Sequence, residues 1–255
     1  RIQDARLALE AAVGKLEEAE KRALQKPDDA ETTDVEPQVL VQDNFAAEIP
    51  DRWEQRGGKW SYANQKLLQS QPGTARAALR LKQQPPADFQ ATLHYTPTGG
   101  DMRKSVGIRF DCIGDDGDEV MIYLSSYAGG PKSQVSFRDK GNAAYPGEGA
   151  EARPVNLNEP HELTIRVRGN LINVIVDAKP SVAYRLPVER RPGNLELIAF
   201  DATAEFLSFT LSTLPASQAM TDAPGKPADS AVPVDQAQLL VSLAEKNAAA
   251  AEAEL

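Results

Sequence analysis

The feature that most constrains this chain is the period-two alternation that fills its middle. In the stretch Phe89 to Tyr95, residues Phe89, Ala91, Leu93 and Tyr95 fall on one side of an extended chain, and Gln90, Thr92 and His94 on the other. The same alternation runs through Ser105–Asp111, Val120–Ser126 and Gln134–Arg138. It returns in Leu163–Arg168, Leu171–Val176, Leu195–Phe200 and Phe206–Leu211. Successive side chains of a strand point to opposite faces, so a strand with one apolar row must lay that row on a core. Gly169-Asn170, between two such runs, has the composition of a tight hairpin turn. No stretch from residue 38 to 214 carries convincing helical periodicity. About ten to twelve strands there predict a mainly β fold, a two-sheet antiparallel jelly-roll sandwich.

The two ends follow a different period. Residues 1–26 carry Ile2, Leu9, Leu16 and Ala23 at heptad spacing, with Ala5, Ala12 and Ala19 three places after the first three. Residues 234–255 repeat the pattern with Ala237, Val241, Ala244, Ala248, Ala251 and Leu255. This predicts an N-terminal and a C-terminal α-helix whose small seam residues let them pair as an antiparallel coiled coil, with each other or with helices of a parent chain. Pro27 ends the first helix, and Asp235 with Gln238 has capping-box spacing at the start of the second. Residues 215–233, rich in Ala, Pro, Asp and Ser, read as a flexible linker. The chain opens and stops inside helical patterns, which is the expectation for a segment of a longer multidomain protein.

The formal net charge is −9. That argues against a nucleic-acid partner, whose phosphates call for a basic surface, and against attachment to an anionic membrane. No apolar run approaches the ~18 residues needed for membrane insertion. Cys112 is the sole cysteine, so no intrachain disulfide can form, and its place in a strand reads as packing.

Three stretches carry a resemblance. Asp43-Asn-Phe45 is followed by Trp53 and Gly58-Lys-Trp60; Val106-Gly-Ile-Arg-Phe110 is the second; Asn158 to Asn170, continued by Ile172 to Asp177, is the third. Together they resemble the concanavalin A-like lectin/glucanase superfamily, especially its LamG-like and 3-keto-disaccharide-hydrolase-like domains. Pro160 stands where those domains often have an aromatic residue, and Ala178 where they usually have glycine. The layout, a sandwich between Ala-rich heptads, also resembles inserts in large planctomycete surface proteins that carry c-type cytochrome modules elsewhere. No Cys-x-x-Cys-His occurs here, so any haem would belong to other parts of a parent chain. The resemblance implies a non-catalytic carbohydrate- or surface-binding module on a helical stalk, in an extracytoplasmic setting, with a glycan or a protein surface as partner. A glycoside hydrolase-like domain acting on (3-keto) disaccharides and a structural spacer are the alternatives.

If the apolar rows face the core, the opposite rows gather His94, Arg109, Asp111, Tyr123, Gln134 and Arg138 on a polar sheet face. In the superfamily such a face lines a sugar groove, although any antiparallel sheet presents a polar side to solvent. Asp115, Asp116 and Asp118, near Asp111 and Glu119, form an oxygen-rich cluster that could hold Ca²⁺, but Gly114-Asp-Asp-Gly-Asp118 is equally an ordinary turn. No other cofactor is expected. Hydrolysis calls for two carboxyl groups flanking the bond. The Glu-x-Asp-x-x-Glu strand of sandwich glucanases is missing, so no catalytic residue is assigned. His161 reads as structural, and Trp53 and Trp60 as core residues.

Overall fold

A computed structural model describes residues 36–73, 76–114 and 117–223, with the single positions Glu10, Val13, Gly14, Glu17, Gln238, Val241, Ser242 and Glu245. The chain divides into two units, Asp34–Pro224 and a second made of Arg1–Thr33 with Gly225–Leu255. Apart from Val241, the heptad seams, and the coiled coil expected from them, lie outside the described residues.

The first unit is two stacked antiparallel sheets, each of eight strands among the described residues. Sheet A runs β14 (Lys179–Arg185), β13 (Leu171–Val176), β12 (His161–Arg168), β6 (Phe89–Gly99), β16 (Thr203–Thr213), β4 (Lys66–Gln69) and β3 (Trp60–Ala63), with β1 (Val39–Asp43) also on β16. Sheet B runs β10 (Asn142–Ala144), β9 (Lys132–Asp139), β8 (Glu119–Ser125), β7 (Ser105–Cys112), β15 (Asn194–Phe200), β5 (Ala77–Leu81) and β2 (Trp53–Arg56), with β11 (Ala150–Ala152) also on β9. The strands beyond the expected number include short edge pieces of three or four residues, such as β3, β10 and β11, too brief to show a period.

The apolar rows do meet between the sheets. Phe89, Ala91, Leu93 and Tyr95 of β6 join Val106, Ile108 and Phe110 of β7 in one core. The rings of Phe89 and Phe110 pack edge to face, 5.3 Å apart, across the sandwich. Both tryptophans sit on this core. Trp60 is buried and its indole N–H donates to the Gly57 carbonyl at 2.9 Å. Trp53 packs against Phe45 and Phe209 and donates to Asp43 Oδ2 at 2.8 Å. His161 spans Asp177 Oδ2 and the Asn156 carbonyl at 3.1 and 3.3 Å, a structural bridge as expected.

The first and last strands lie side by side, Val39 opposite Ser212. The Gln38 amide donates to Thr213 Oγ1, and the Thr213 amide to the Gln38 carbonyl. The first and last strands of the sandwich are therefore neighbours. Residues 215–222, expected to begin a flexible linker, are tied to the outer face of sheet A. Arg168 donates to the carbonyls of Pro215 and Gln218, and Asn173 and Thr221 exchange two hydrogen bonds of 2.7 Å.

The turn of the β13–β14 hairpin shows the backbone that Ala178 must adopt, where the domains this chain resembles in sequence usually have glycine. Its turn residues Asp177 and Ala178 both have left-handed backbones, φ 52° and 60°. A β-carbon in that region costs ~1–2 kcal/mol, whereas glycine adopts it freely. Part of the relief on substitution is offset by the greater freedom glycine brings to the unfolded chain. Ala178→Gly is expected to stabilise the domain by about 0.5–1 kcal/mol, read as a higher urea midpoint at unchanged slope.

Candidate functional site

The outer face of sheet B carries the chemistry, and pairing register arranges it in rows. Arg80, Glu196, Arg109 and Met121 lie side by side across β5, β15, β7 and β8; Ala78, Ile198, Gly107 and Tyr123 form the next row. Beyond it come Phe200, Ser105, Ser125 and Lys132.

The first row is an ionic ladder. Glu196, with no exposed surface, accepts from Arg80 Nε at 2.7 Å on Oε1 and from Arg109 on Oε2. Arg109 Nη1 reaches Glu119 Oε2 at 2.6 Å, and Arg76 Nη1 meets the same oxygen at 2.7 Å. Two carboxylates are thus held among three guanidinium groups. Burial alone would push the Glu119 carboxyl up, but Arg76 and Arg109 hold it below the usual carboxylate range. A short apolar patch of Ala78, Met121, Tyr123 and Ile198 continues the burial. Gly107 forms the floor opposite Tyr123. A β-carbon there would lie 2.0 Å from the Ile122 carbonyl oxygen, so only glycine allows β7 and β8 this close approach.

Past the patch, loops rise around a groove of about 710 Å³. Tyr123 stands on its floor, with Tyr127 from the β8–β9 turn and Tyr145 from the β10–β11 loop at its walls. Tyr127 and Tyr145 are exposed, and the backbone of Gly129 packs against the Tyr127 ring. Burial pushes the Tyr123 hydroxyl up to about 12, with Tyr145 adding to the effect and Arg103 opposing it. Arg103 comes from the β6–β7 loop, which Asp201 shapes. The Asp201 carboxylate accepts the backbone amides of Asp101, Met102 and Arg103 at 3.3, 2.8 and 2.7 Å. Burial works against that charge, but the amide donors hold the carboxyl below its ordinary value. Arg76 and Lys132 complete the polar lining, and among the described residues no carboxylate lines the groove.

Of the residues read from sequence as a polar face, Tyr123 alone lines this groove. Arg109 is locked in the ladder. Asp111 forms a two-point ion pair with Arg190, at 2.7 and 3.2 Å, and Arg190 also lies 5.1 Å over the Phe110 ring. Gln134 is buried and donates to the Pro146 carbonyl at 2.9 Å, which pins the loop bearing Tyr145. Arg138 stands opposite Glu119 at the far end of the sheet, beside Asp139 and Arg191. His94 does not share the face at all. Strand β6 belongs to sheet A, and His94 lies 3.4 Å from Glu162 on that sheet's outer side. The expectation of one common face fails for His94 because the chain crosses between sheets from β6 to β7.

Asp118 accepts from the Lys140 amide at 2.7 Å and pairs with Arg191. Its carboxylate is already engaged by a cation, and Asp115 and Asp116 lie outside the described residues. Among the described residues no group of three or more candidate metal ligands occurs. Cys112 is buried, which pushes its thiol up to about 12 and leaves it a packing group. Sequence reasoning missed Arg103, Tyr127, Lys132 and Tyr145. The available signal was aromatic residues in glycine- and proline-rich loops, where binding groups gather.

Solved structures share this architecture. The sandwich is similar to the carbohydrate binding module CBM66 from Bacillus subtilis, with a TM-score of 0.56 and 17% identity over 64% of this chain and 96% of that one. It is also similar to a Bacillus licheniformis β-glucanase, TM-score 0.55 and 12% identity, covering 68% of this chain and 97% of that one. The GH43 protein BlXynB from Bacillus licheniformis matches with a TM-score of 0.54 and 14% identity over 68% of this chain and 39% of that one. At these identities what is shared is the fold, a concanavalin A-like sandwich. No family model matches the chain, and no curated protein matches it.

Removing one member of a buried charge network strands the others. Glu196→Gln removes one of the two carboxylates held among three guanidinium groups, and a loss of about 3–5 kcal/mol is expected in urea unfolding. Acid has a related effect. Glu119 and Asp201 have folded pKa values below their unfolded ones. The stability they contribute is present above about pH 4 and is lost as pH falls through the folded values. Asp111 acts with the opposite sign, because burial raises its carboxyl more than Arg190 lowers it. The melting temperature is therefore expected to fall on acidification below about pH 4, and less steeply in Asp201→Asn.

Proposed function

We propose that this domain is a carbohydrate-binding module that holds its glycan in the groove of sheet B and does not cleave it. The observation that carries this reading is a wide concave groove walled by Tyr123, Tyr127 and Tyr145 without a lining carboxylate among the described residues. Aromatic rings offer a flat apolar face to the C–H side of a sugar, and a few polar groups then fix its hydroxyls. The volume falls in the range of small-molecule and oligosaccharide-sized sites.

A second reading, glycoside hydrolysis, draws on the fold shared with the β-glucanase. Fold does not carry activity with it. Hydrolysis needs one carboxyl that is protonated at working pH and a second that is ionised. The ladder carboxylates Glu119 and Glu196 are bridged by Arg109, and the depressed Glu119 value suits a permanent anion rather than a general acid; Asp111, whose carboxyl burial raises, is held in a two-point ion pair by Arg190 away from the groove. These facts favour binding.

The stalk belongs to the same reading. Helices at residues 1–26 and 234–255 would then display the module from a parent chain. A module of this kind works where polysaccharide is found, which favours an extracytoplasmic location.

A glycan array with the full chain tests the assignment. Binding to a defined set of glycans is expected, weakened about three- to tenfold by Tyr123→Ala or Tyr145→Ala, in line with one aromatic contact each. No reducing ends are expected on incubation with the bound glycans. Their release by the wild type, and its loss in Glu119→Gln, would establish the hydrolase reading instead.

A further inference from the structure

The groove is the wrong sign for this protein. The chain holds 37 acidic against 28 basic residues, yet the groove lining contains Arg76, Arg103 and Lys132 and, among the described residues, no acid. Arg76 is occupied by Glu119. Neither of the other two has a carboxylate partner among the described residues. Lys132 donates to the neutral side-chain oxygen of Gln134 at 2.8 Å, and Arg103 is exposed. The acids nearest Arg103 are turned to other tasks or to solvent. Asp201 receives the three backbone amides of residues 101–103, and Asp101 is exposed, with its carbonyl taken by Lys104.

The two cations are also placed together. Ser125 is the register partner of Lys132, and the Ser125 hydroxyl donates to the Arg103 carbonyl at 2.6 Å. Both basic residues therefore rise from either side of Ser125, about two strand spacings apart at the backbone. Tyr123 and Tyr127 flank the same position two residues away along the chain. A partly desolvated aromatic wall strengthens any charge pairing made beside it. A guanidinium fork matches the planar oxygens of a carboxylate or the face of a sulfate ester.

We infer that the ligand of this groove is an acidic polysaccharide, whose carboxylate or sulfate groups are paired by Arg103 and Lys132 while its sugar rings lie on the tyrosines. This rests on the groove being the glycan site. A neutral glycan would leave two cations without an anionic partner in a groove that no carboxylate lines among the described residues.

Titration calorimetry of the full chain tests it with polygalacturonate as the carboxylate probe, carrageenan as the sulfate-ester probe, and barley β-glucan as the neutral probe. Single-stranded DNA serves as a polyanion without the acidic sugar backbone. At least one acidic polysaccharide is expected to bind tenfold or more tightly than β-glucan, and the preferred probe identifies the anionic group. Affinity should fall as salt rises from about 50 to about 500 mM. Arg103→Gln and Lys132→Gln, at accessible positions, should each weaken it about tenfold with no change in melting temperature. Equal or tighter binding of β-glucan would overturn the inference and leave the groove as a neutral-sugar site. Full affinity in the double variant, or equal affinity for DNA, would also overturn it. Failure of every glycan to bind, here and on the array, would remove the groove assignment itself.

Discussion

The dry layer between the two sheets is the constraint on which everything else depends. Strands β6, β12, β13 and β16 send one row of apolar side chains inward from sheet A, and β7, β8 and β15 answer from sheet B. Each row leaves water only if the sheets stack, and each stacks only in a register that puts every inward side chain inside. A one-residue slip would turn a whole strand inside out. The Phe89–Phe110 contact joins two strands consecutive in sequence and opposed in space. Once that crossing is made, the outer side of sheet B is placed as a unit, and the groove with it.

That outer side is a second interior rather than a simple polar surface. All eight residues of β7 and all seven of β8 are buried, on both faces. Hydrocarbon accounts for the inward face, and the ladder of Arg80, Glu196, Arg109, Glu119 and Arg76 for much of the other. Charges buried in this way are tolerable because each carboxylate is met by two guanidinium groups. The same pairing makes Glu119 and Glu196 part of the framework of sheet B. The groove is displaced toward Ser105, Ser125 and Lys132, where loops anchored by Asp201 and Gln134 raise Arg103 and Tyr145 above the sheet.

The architecture is shared with both binding modules and hydrolases, so the choice between them depends on the site. On that site the tyrosines, the two cations without a carboxylate partner among the described residues, and the carboxylates held by arginine are what the binding proposal rests on. The shape of the basin comes from a close approach of β7 and β8 at Gly107 and from turns in which non-glycine residues accept left-handed backbones. Two of the left-handed residues, Lys104 and Asp201, shape the loop that carries Arg103.

The sequence by itself determined the strand periods, the Gly169-Asn170 hairpin, the burial of Trp53 and Trp60 and the sandwich class, because alternation is a property of a single strand and reports directly on its two faces. It also marked Tyr123 as outward-facing. It did not show which strands would be neighbours, since period-two rows carry no label for their partner. His94 and Arg109, on consecutive strands of similar pattern, therefore end on opposite sheets. Nor did it separate a ligand-facing polar residue from one buried in an ion pair, because Arg109, Asp111 and Gln134 have the same pattern until their partners Glu196, Arg190 and Pro146 arrive from 87, 79 and 12 residues away. Only the tertiary structure brings those distant groups together, and with them decides where the charge is cancelled and where, at Arg103 and Lys132, no carboxylate among the described residues meets it.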